Sequence, residues 1–459
     1  MFPLHRRKAV WLAAVTLATS SLTGAALADS SPSPVPPSAP SAPTTQDVNS
    51  RIDALQNEIT QLRAEQKEQK AEAEKQAIGS VLNDADHHSQ LLDAQGVLAG
   101  YTNGRFVLQS EDGKYLAHPW LQAQFRDVTA YREKGVDGRD NTQTGFEVRR
   151  LKFGADGNLF GDQLTYFTQF AADRKTGNVQ LEMAWGKYQF DHSPFAIRAG
   201  QFKDPFDHEQ LLASKYYAPV ERSLTNDLFA NAEGFVKGVT LVYDPGTFIR
   251  AEGGFTGGLR NYWTNFEQYP TTGITTDYGA AGRVEYKPFG AWKEYEQGTA
   301  YGAKTNTLVF GGGTDFTETS SQEVFSHVGD VQYTTSTGWS LYAAYLGRYT
   351  RNNSTAKKVD TYDPTLRAQA SWAIDKNWEP YARYEYIHFD GKEFAAGTNT
   401  NVHVIDLGVN YYIYGQSLKL TLDAEYLPNG SPVADDGSGV LANNGRNIWV
   451  GRAQVQLLL

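Results

Sequence analysis

Leu418-Lys419-Leu420-Thr421-Leu422-Asp423-Ala424-Glu425-Tyr426 is the stretch on which the fold turns. Successive strand side chains point to opposite faces, so Leu418, Leu420, Leu422, Ala424 and Tyr426 share one side and Lys419, Thr421, Asp423 and Glu425 the other. The closing segment repeats the phase: Trp449, Gly451, Ala453, Val455, Leu457 and Leu459 oppose Arg452, Gln454 and Gln456. Alternation alone fits either a soluble sandwich with its apolar face inward or a transmembrane barrel with that face in lipid. Two further features favour the barrel. Aromatic residues gather near strand ends, at Trp339, Tyr342, Tyr345, Tyr349, Trp372, Trp378, Tyr411 and Tyr412, as interfacial girdles do. Strand pattern also runs to Leu459, so a terminal strand is available to pair with the first and remove both sheet edges.

Working outward, similar short segments rich in aromatic and β-branched residues fill the chain after Gly79, separated by Gly, Asn, Asp and Pro clusters. The clearest are Leu121–Tyr131, Arg150–Ala155, Val239–Tyr243, Ile249–Phe255, Ala280–Tyr286, Trp339–Tyr349, Leu366–Trp372, Tyr381–Tyr386 and Ile405–Tyr411. Between Gly298 and Tyr333 glycine and polar residues break the phase. About 340 residues at roughly 20 per strand and connection predict an all-β transmembrane antiparallel β-barrel of about sixteen strands, wide enough for a water-filled channel. Composition agrees: 43 glycines and 26 tyrosines accompany a polar mean hydropathy, which helical membrane spans do not show. With no cysteine, neither disulfides nor thiolate chemistry enter. The net charge of −10 argues against nucleic acid as a partner.

The region before the strands divides in three. His5, Arg6, Arg7 and Lys8 precede an apolar run closed by Ala26-Leu27-Ala28, the pattern of a secretory signal peptide over 1–28 cut before Asp29. Residues 29–46 are a Pro/Ser/Ala-rich linker. Over 47–78, Val48, Ile52, Leu55, Ile59 and Leu62 recur at spacings of four and three, a heptad seam predicting a short α-helical coiled coil in the periplasm that reinforces an oligomer. A connector with a small hairpin over 79–116 then leads into the barrel at 117–459.

FAIRAGQFKDPFDHEQLLASKYYAPVERSL, from Phe195 to Leu224, resembles the signature of the phosphate-selective porin O and P family. FEVRRLKFGADGNLFGDQLTYFTQF (Phe146–Phe170), NWEPYARYEY (Asn377–Tyr386) and LGVNYYIYGQSLKLTLDAEY (Leu407–Tyr426) are similar to that family's early and closing strands. The segment Gly100–Arg126, with the linker and heptads before it, resembles family variants bearing a periplasmic coiled coil. The resemblance covers about Gly100 to Leu459. It implies a sixteen-stranded homo-trimeric porin in a bilayer with a lipopolysaccharide-type outer leaflet, passing small ions and hydrophilic solutes down their gradients and favouring anions such as phosphate.

It also implies a loop entering the pore between about Gln201 and Gly234, on which Lys203, His208, Lys215 and Arg222 stand among Asp204, Asp207, Glu209, Glu221 and Asp227. Taking each strand's apolar phase as outward places Arg150, Lys152, Arg198, Arg250, Arg283, Lys287, Arg348, Arg367, Arg383 and Arg452 toward the lumen. Glu252, Glu285, Glu385, Asp423 and Glu425 share those faces, so a ladder that recruits anions and a set of mutually neutralised charges are both open readings.

An outer-membrane barrel enzyme is one rival; the histidines, among them His192, His208, His327, His388 and His403, lie in no nucleophile motif, and catalytic residues, cofactors and metal sites are not expected. His87 and His88 after Asp84 and Asp86 read as a solvated connector rather than a metal cluster. A structural envelope protein, tethered to the cell wall through its N-terminal segment, is the other rival.

Overall fold

The computed structural model describes residues 96–459 apart from 103, 135–139, 231–233, 260–275, 320 and 354–357. The signal-peptide, linker and heptad expectations and the His87/His88 pair lie outside the described residues. A hairpin comes first, β1 (Val97–Thr102) with β2 (Arg105–Ser110). Then follow β3 (Leu116–Arg132), β4 (Asn141–Leu159), β5 (Leu164–Ala172), β6 (Val179–Gln189), β7 (Phe195–Lys203), β8 (Phe235–Tyr243), β9 (Ile249–Thr256) and β10 (Thr276–Phe289). The second half supplies β11 (Thr307–Thr319), β12 (Gln322–Thr334), β13 (Trp339–Asn352), β14 (Val359–Trp372), β15 (Trp378–His388), β16 (Asn401–Tyr414) and β17 (Leu418–Leu427). After a two-stranded ribbon, β18 (Gly430–Ser431) with β19 (Asn443–Asn444), the chain ends on β20 (Ile448–Leu458).

Eighteen strands share one sheet. Setting aside the β1–β2 hairpin, sixteen form an antiparallel wall in which each strand pairs with the next and β20 pairs with β3 over Gln122–Arg132. The wall therefore has no free edge, which satisfies every ladder inside an apolar bilayer. The hairpin joins it through Leu108↔Ala117 and Gln109↔Leu116 at the foot of β3 and through an ion pair of Arg105 with Asp156 of β4.

Burial runs opposite to that of a soluble protein. Along β17 the apolar positions Leu420, Leu422 and Ala424 are exposed while Lys419, Thr421, Asp423 and Glu425 are buried. β20 behaves alike, exposing Trp449, Ala453, Val455 and Leu457 and burying Arg452, Gln454 and Gln456. The sandwich is excluded on this phase, since among the described residues no second layer covers the apolar side. Aromatic pairs mark the wall's outer rims: Trp339 stacks on Trp372 at 5.2 Å, Trp378 meets Tyr411 at 4.6 Å, and Tyr426 stacks on Trp449 at 4.0 Å. Tyr342 and Tyr412 depart from the expected girdle. They occupy inward positions, where Tyr342 receives a hydrogen bond from Arg367 and the Tyr412 hydroxyl donates to Glu379.

The broken phase between Gly298 and Tyr333 resolves into two regular strands. Gly311 and Gly313 of β11 face the interior, where added Cβ atoms would lie 1.9 Å from Arg283 and 2.1 Å from the Phe206 carbonyl. At Gly313 glycine is required because the segment bearing Phe206 approaches the wall closely, while Gly311 leaves room for the Arg283 guanidinium and the Asp330 carboxylate.

Candidate functional site

The segment between β7 and β8 fills much of the lumen. It carries α1 (His208–Leu211), a 3-10 turn at Ser214–Tyr216 and α2 (Leu224–Phe229). Ser223 caps α2, its hydroxyl accepting from the Asn226 amide at 3.0 Å. Polar groups of the wall hold this segment on nearly every side. Arg283 donates to the Phe206 carbonyl, Lys419 to that of Tyr217, Asn410 to that of Ala218 and Arg383 to that of Glu221. Arg367 binds both Asp207 and Glu209, and the Glu385 carboxylate accepts the Leu224 and Thr225 amides at the start of α2.

A second insertion comes from the opposite rim, where most connections are tight turns. The connection from β10 to β11, residues 290–306, contains α3 (Trp292–Tyr295) and folds inward. Tyr295 stacks on His208 with ring centroids 3.8 Å apart, and its backbone neighbour Gln297 accepts from Gln332, which also bonds His208. Thr299 bonds Glu379 and Tyr301 stacks on Tyr412. The two insertions meet, Tyr217 bridging to Gly298.

Together they cover the β10–β17 side, and the expected lumen cations divide accordingly. Arg283, Arg367 and Arg383 face inward but lie beneath the insertions, paired with Glu285 and Asp330, Asp207 and Glu209, and Asp406, while Arg452 of β20 pairs with Asp423 and Glu425 and donates to the Ser438 carbonyl between β18 and β19. Arg348 pairs with Asp363 and reaches the Leu228 carbonyl. Arg250 and Lys287 sit over the Trp292 ring, Arg250 also pairing with Asp244 and Glu296. On this side the charges neutralise one another and anchor the insertions.

The open space that remains against β3–β7 includes two cavities. One, of about 320 Å³ toward the long-loop rim, is lined by Arg149, Arg150, Lys152, Arg174, Lys175, Glu182, Arg222, Asp227, Asp435 and Asp436. The other, of about 290 Å³ toward the turn rim, is lined by Trp120, Lys152, Asp156, Phe167, Trp185, Arg198, Lys203, Lys215 and Arg222. Lys152 and Arg222 belong to both linings, one from the wall and one from the inserted segment, so the cavities adjoin at these two side chains.

Two bulges aim the charges at this waist. Between Gln124 and Phe125 the β3–β4 register slips, leaving Arg149 as an extra residue, so Arg149 and Arg150 both turn inward. The slip between Gln169 and Phe170 does the same for Glu182 and Met183 of β6. Arg126, Arg149 and Arg150 converge on Glu221, donating at 2.7, 2.6 and 2.5 Å. Burial works to raise the Glu221 carboxyl, but the guanidiniums of Arg149, Arg150 and Arg126 outweigh it and hold the group well below the usual carboxylate range. Asp227 shifts the other way, pushed well above that range by burial and by Asp435. Lys152 bonds Glu182 at 2.7 Å, Lys203 donates to the Leu211 and Leu212 carbonyls, and Arg198 pairs with Glu252.

Sequence reasoning left out Arg149, Trp120, Phe167 and Trp185. The doubled Arg149-Arg150 was the available signal, since a strand with both turned inward needs a bulge.

A closed sixteen-stranded wall, apolar outside and ionised inside, narrowed by a segment folded into its lumen, defines an outer-membrane porin: a water-filled channel for passive diffusion of small hydrophilic solutes. The chain belongs to the phosphate-selective porin O and P family, whose model matches residues 122–429. No curated protein resembles it closely enough to count as a match. Among solved structures, the outer-membrane channel DcaP of Acinetobacter baumannii is 12% identical, with 78% of this chain and 100% of that one covered and a TM-score of 0.49. The trimer form of OmpT from Vibrio cholerae is 13% identical, with 74% and 99% covered and a TM-score of 0.48. OprB of Pseudomonas putida is 11% identical, with 74% and 94% covered and a TM-score of 0.49.

Proposed function

We propose that the passage along β3–β7 favours anions, and that its turn-side half sets the preference. One observation carries this reading. The turn-side cavity is lined by Lys152, Arg198, Lys203, Lys215 and Arg222 against a single carboxylate, Asp156, whereas the loop-side cavity mixes both signs. An anion leaving the mixed mouth meets a net positive waist, where cations replace part of its hydration with charge-assisted hydrogen bonds weak enough to release it. Phosphate is the solute the family suggests. The subunit works as a homo-trimer, with residues 47–78 as a periplasmic coiled coil behind a linker over 29–46 and a signal peptide over 1–28.

Reversal potential under a KCl gradient in planar bilayers tests the reading. Anion-signed selectivity is expected, reduced in Lys152→Gln and in Arg222→Gln. A cation-signed potential in the unmodified protein would overturn it.

A further inference from the structure

We infer that the turn-side cavity is a binding site for planar aromatic carboxylates, which deepens the anion reading and rests on it. Three large rings line the cavity here, Trp120, Phe167 and Trp185, where most other aromatic side chains of the wall face lipid or, like Tyr342, Tyr381 and Tyr412, are buried beneath the insertions or in hydrogen bonds with wall carboxylates and arginines. Phe167 and Trp185 are cross-strand partners stacked at 5.7 Å with planes 9° apart. Trp120 adjoins Phe167 at 5.9 Å. They meet across β4 because Gly154 stands between them; a Cβ there would lie 3.0 Å from the Trp120 ring. The result is an apolar strip in a passage filled with water, uncovered on the cavity side.

A cation is placed over this strip. Lys215, on the inserted segment, holds its ammonium 5.7 Å from the Trp120 ring centre. Among the described residues no carboxylate comes within 4.0 Å of it. Lys203, in the same lining, is spent on the Leu211 and Leu212 carbonyls, whereas Lys215 stands over the rings, positioned to accept a carboxylate from solution. Lys152 and Arg222 stand beyond it at the waist and offer the next handhold. An inorganic anion would use only the cations. A saturated acid of similar size would gain burial but not ring stacking. A planar aromatic carboxylate uses both features at once, its ring on the strip and its charge at Lys215.

The experiment is blockade of chloride current through the full-length protein in planar bilayers by benzoate, cyclohexanecarboxylate and acetate, added from the turn-rim side. Benzoate is expected to interrupt the current with a dissociation constant about tenfold below that of acetate, a difference of ~1.4 kcal/mol, with cyclohexanecarboxylate between them. Trp120→Leu and Phe167→Leu, made separately so that a folding defect in one leaves the other informative, are expected to collapse the benzoate-to-acetate ratio toward one. Lys215→Gln should weaken both acids alike. Equal block by the three acids in the unmodified protein, or a ratio that survives both ring variants, overturns the inference while leaving anion selectivity standing. A cation-signed reversal potential would instead remove the anion reading beneath it.

Discussion

Replacing Glu221 by Gln isolates the strongest attachment of the inserted segment. The carboxylate accepts from Arg126, Arg149 and Arg150, with side chains of Arg126 and Glu221 exposed by 0% and 1%. Gln keeps one acceptor oxygen but turns an amide donor toward guanidiniums that also only donate, and it removes the negative charge. Breaking a buried pair from one side costs roughly 3–5 kcal/mol, because the remaining charges stay buried without compensation. At about 1.4 kcal/mol per power of ten, the docked arrangement of residues near 221 loses roughly a hundredfold to several thousandfold in population relative to displaced ones. The attachments at Arg367 and Glu385 remain, so the segment loosens locally rather than leaving the lumen. Single-channel recording reads two consequences: rapid flicker between conductance levels, and a reversal potential moved further toward the anion limit by the uncompensated arginines. Glu221→Asp should restore much of the quiet state. Quiet, unchanged currents in Glu221→Gln with an unmoved reversal potential would refute the account of what holds the segment.

The same carboxylate predicts a pH dependence. Its folded pKa is depressed, so its stabilisation is present above the unfolded value of about 4.3 and is lost as pH falls through the depressed folded value; recordings should stay quiet through the ordinary glutamate range and flicker only at more acid pH, and flicker beginning above pH 5 would contradict this. Gly313→Ala would press a methyl to 2.1 Å from the Phe206 carbonyl, which Arg283 binds. A raised and noisier conductance is expected, with heat-modified gel mobility showing that the barrel still forms; a wild-type conductance level would mean that Phe206 is free to shift.

What the sequence disclosed follows from the range of the interactions involved. The inverted phase of β17 and β20 is local, written in alternate residues, and it was legible. So was the inward direction of Arg283, Arg367, Arg383 and Arg452, because strand parity alone sets it. Whether an inward cation meets water or lies under an inserted segment depends on contacts such as Arg367 with Asp207, 160 positions away, and no periodicity reports these. Bulges defeat parity directly, which is why Arg149 went unnoticed beside Arg150. The inward fold of residues 290–306 was hidden for a similar reason: Gly298 and Tyr301 act by contacts with Tyr217 and Tyr412, so the local pattern looked merely broken.

The seam between β3 and β20 bears on how the molecule is made. Gln124 and Gln456 share a hydrogen bond across 332 positions of sequence, so the first wall strand waits with an unsatisfied edge until the last has been synthesised and delivered. Closing so long a stretch is slow, since its chain entropy must be surrendered before the ladder repays it. During that wait both margins are templates for pairing with the wrong chain. Only when β20 docks on β3 are both margins withdrawn from such pairing, so the last strand of the wall to arrive is also the one that seals it.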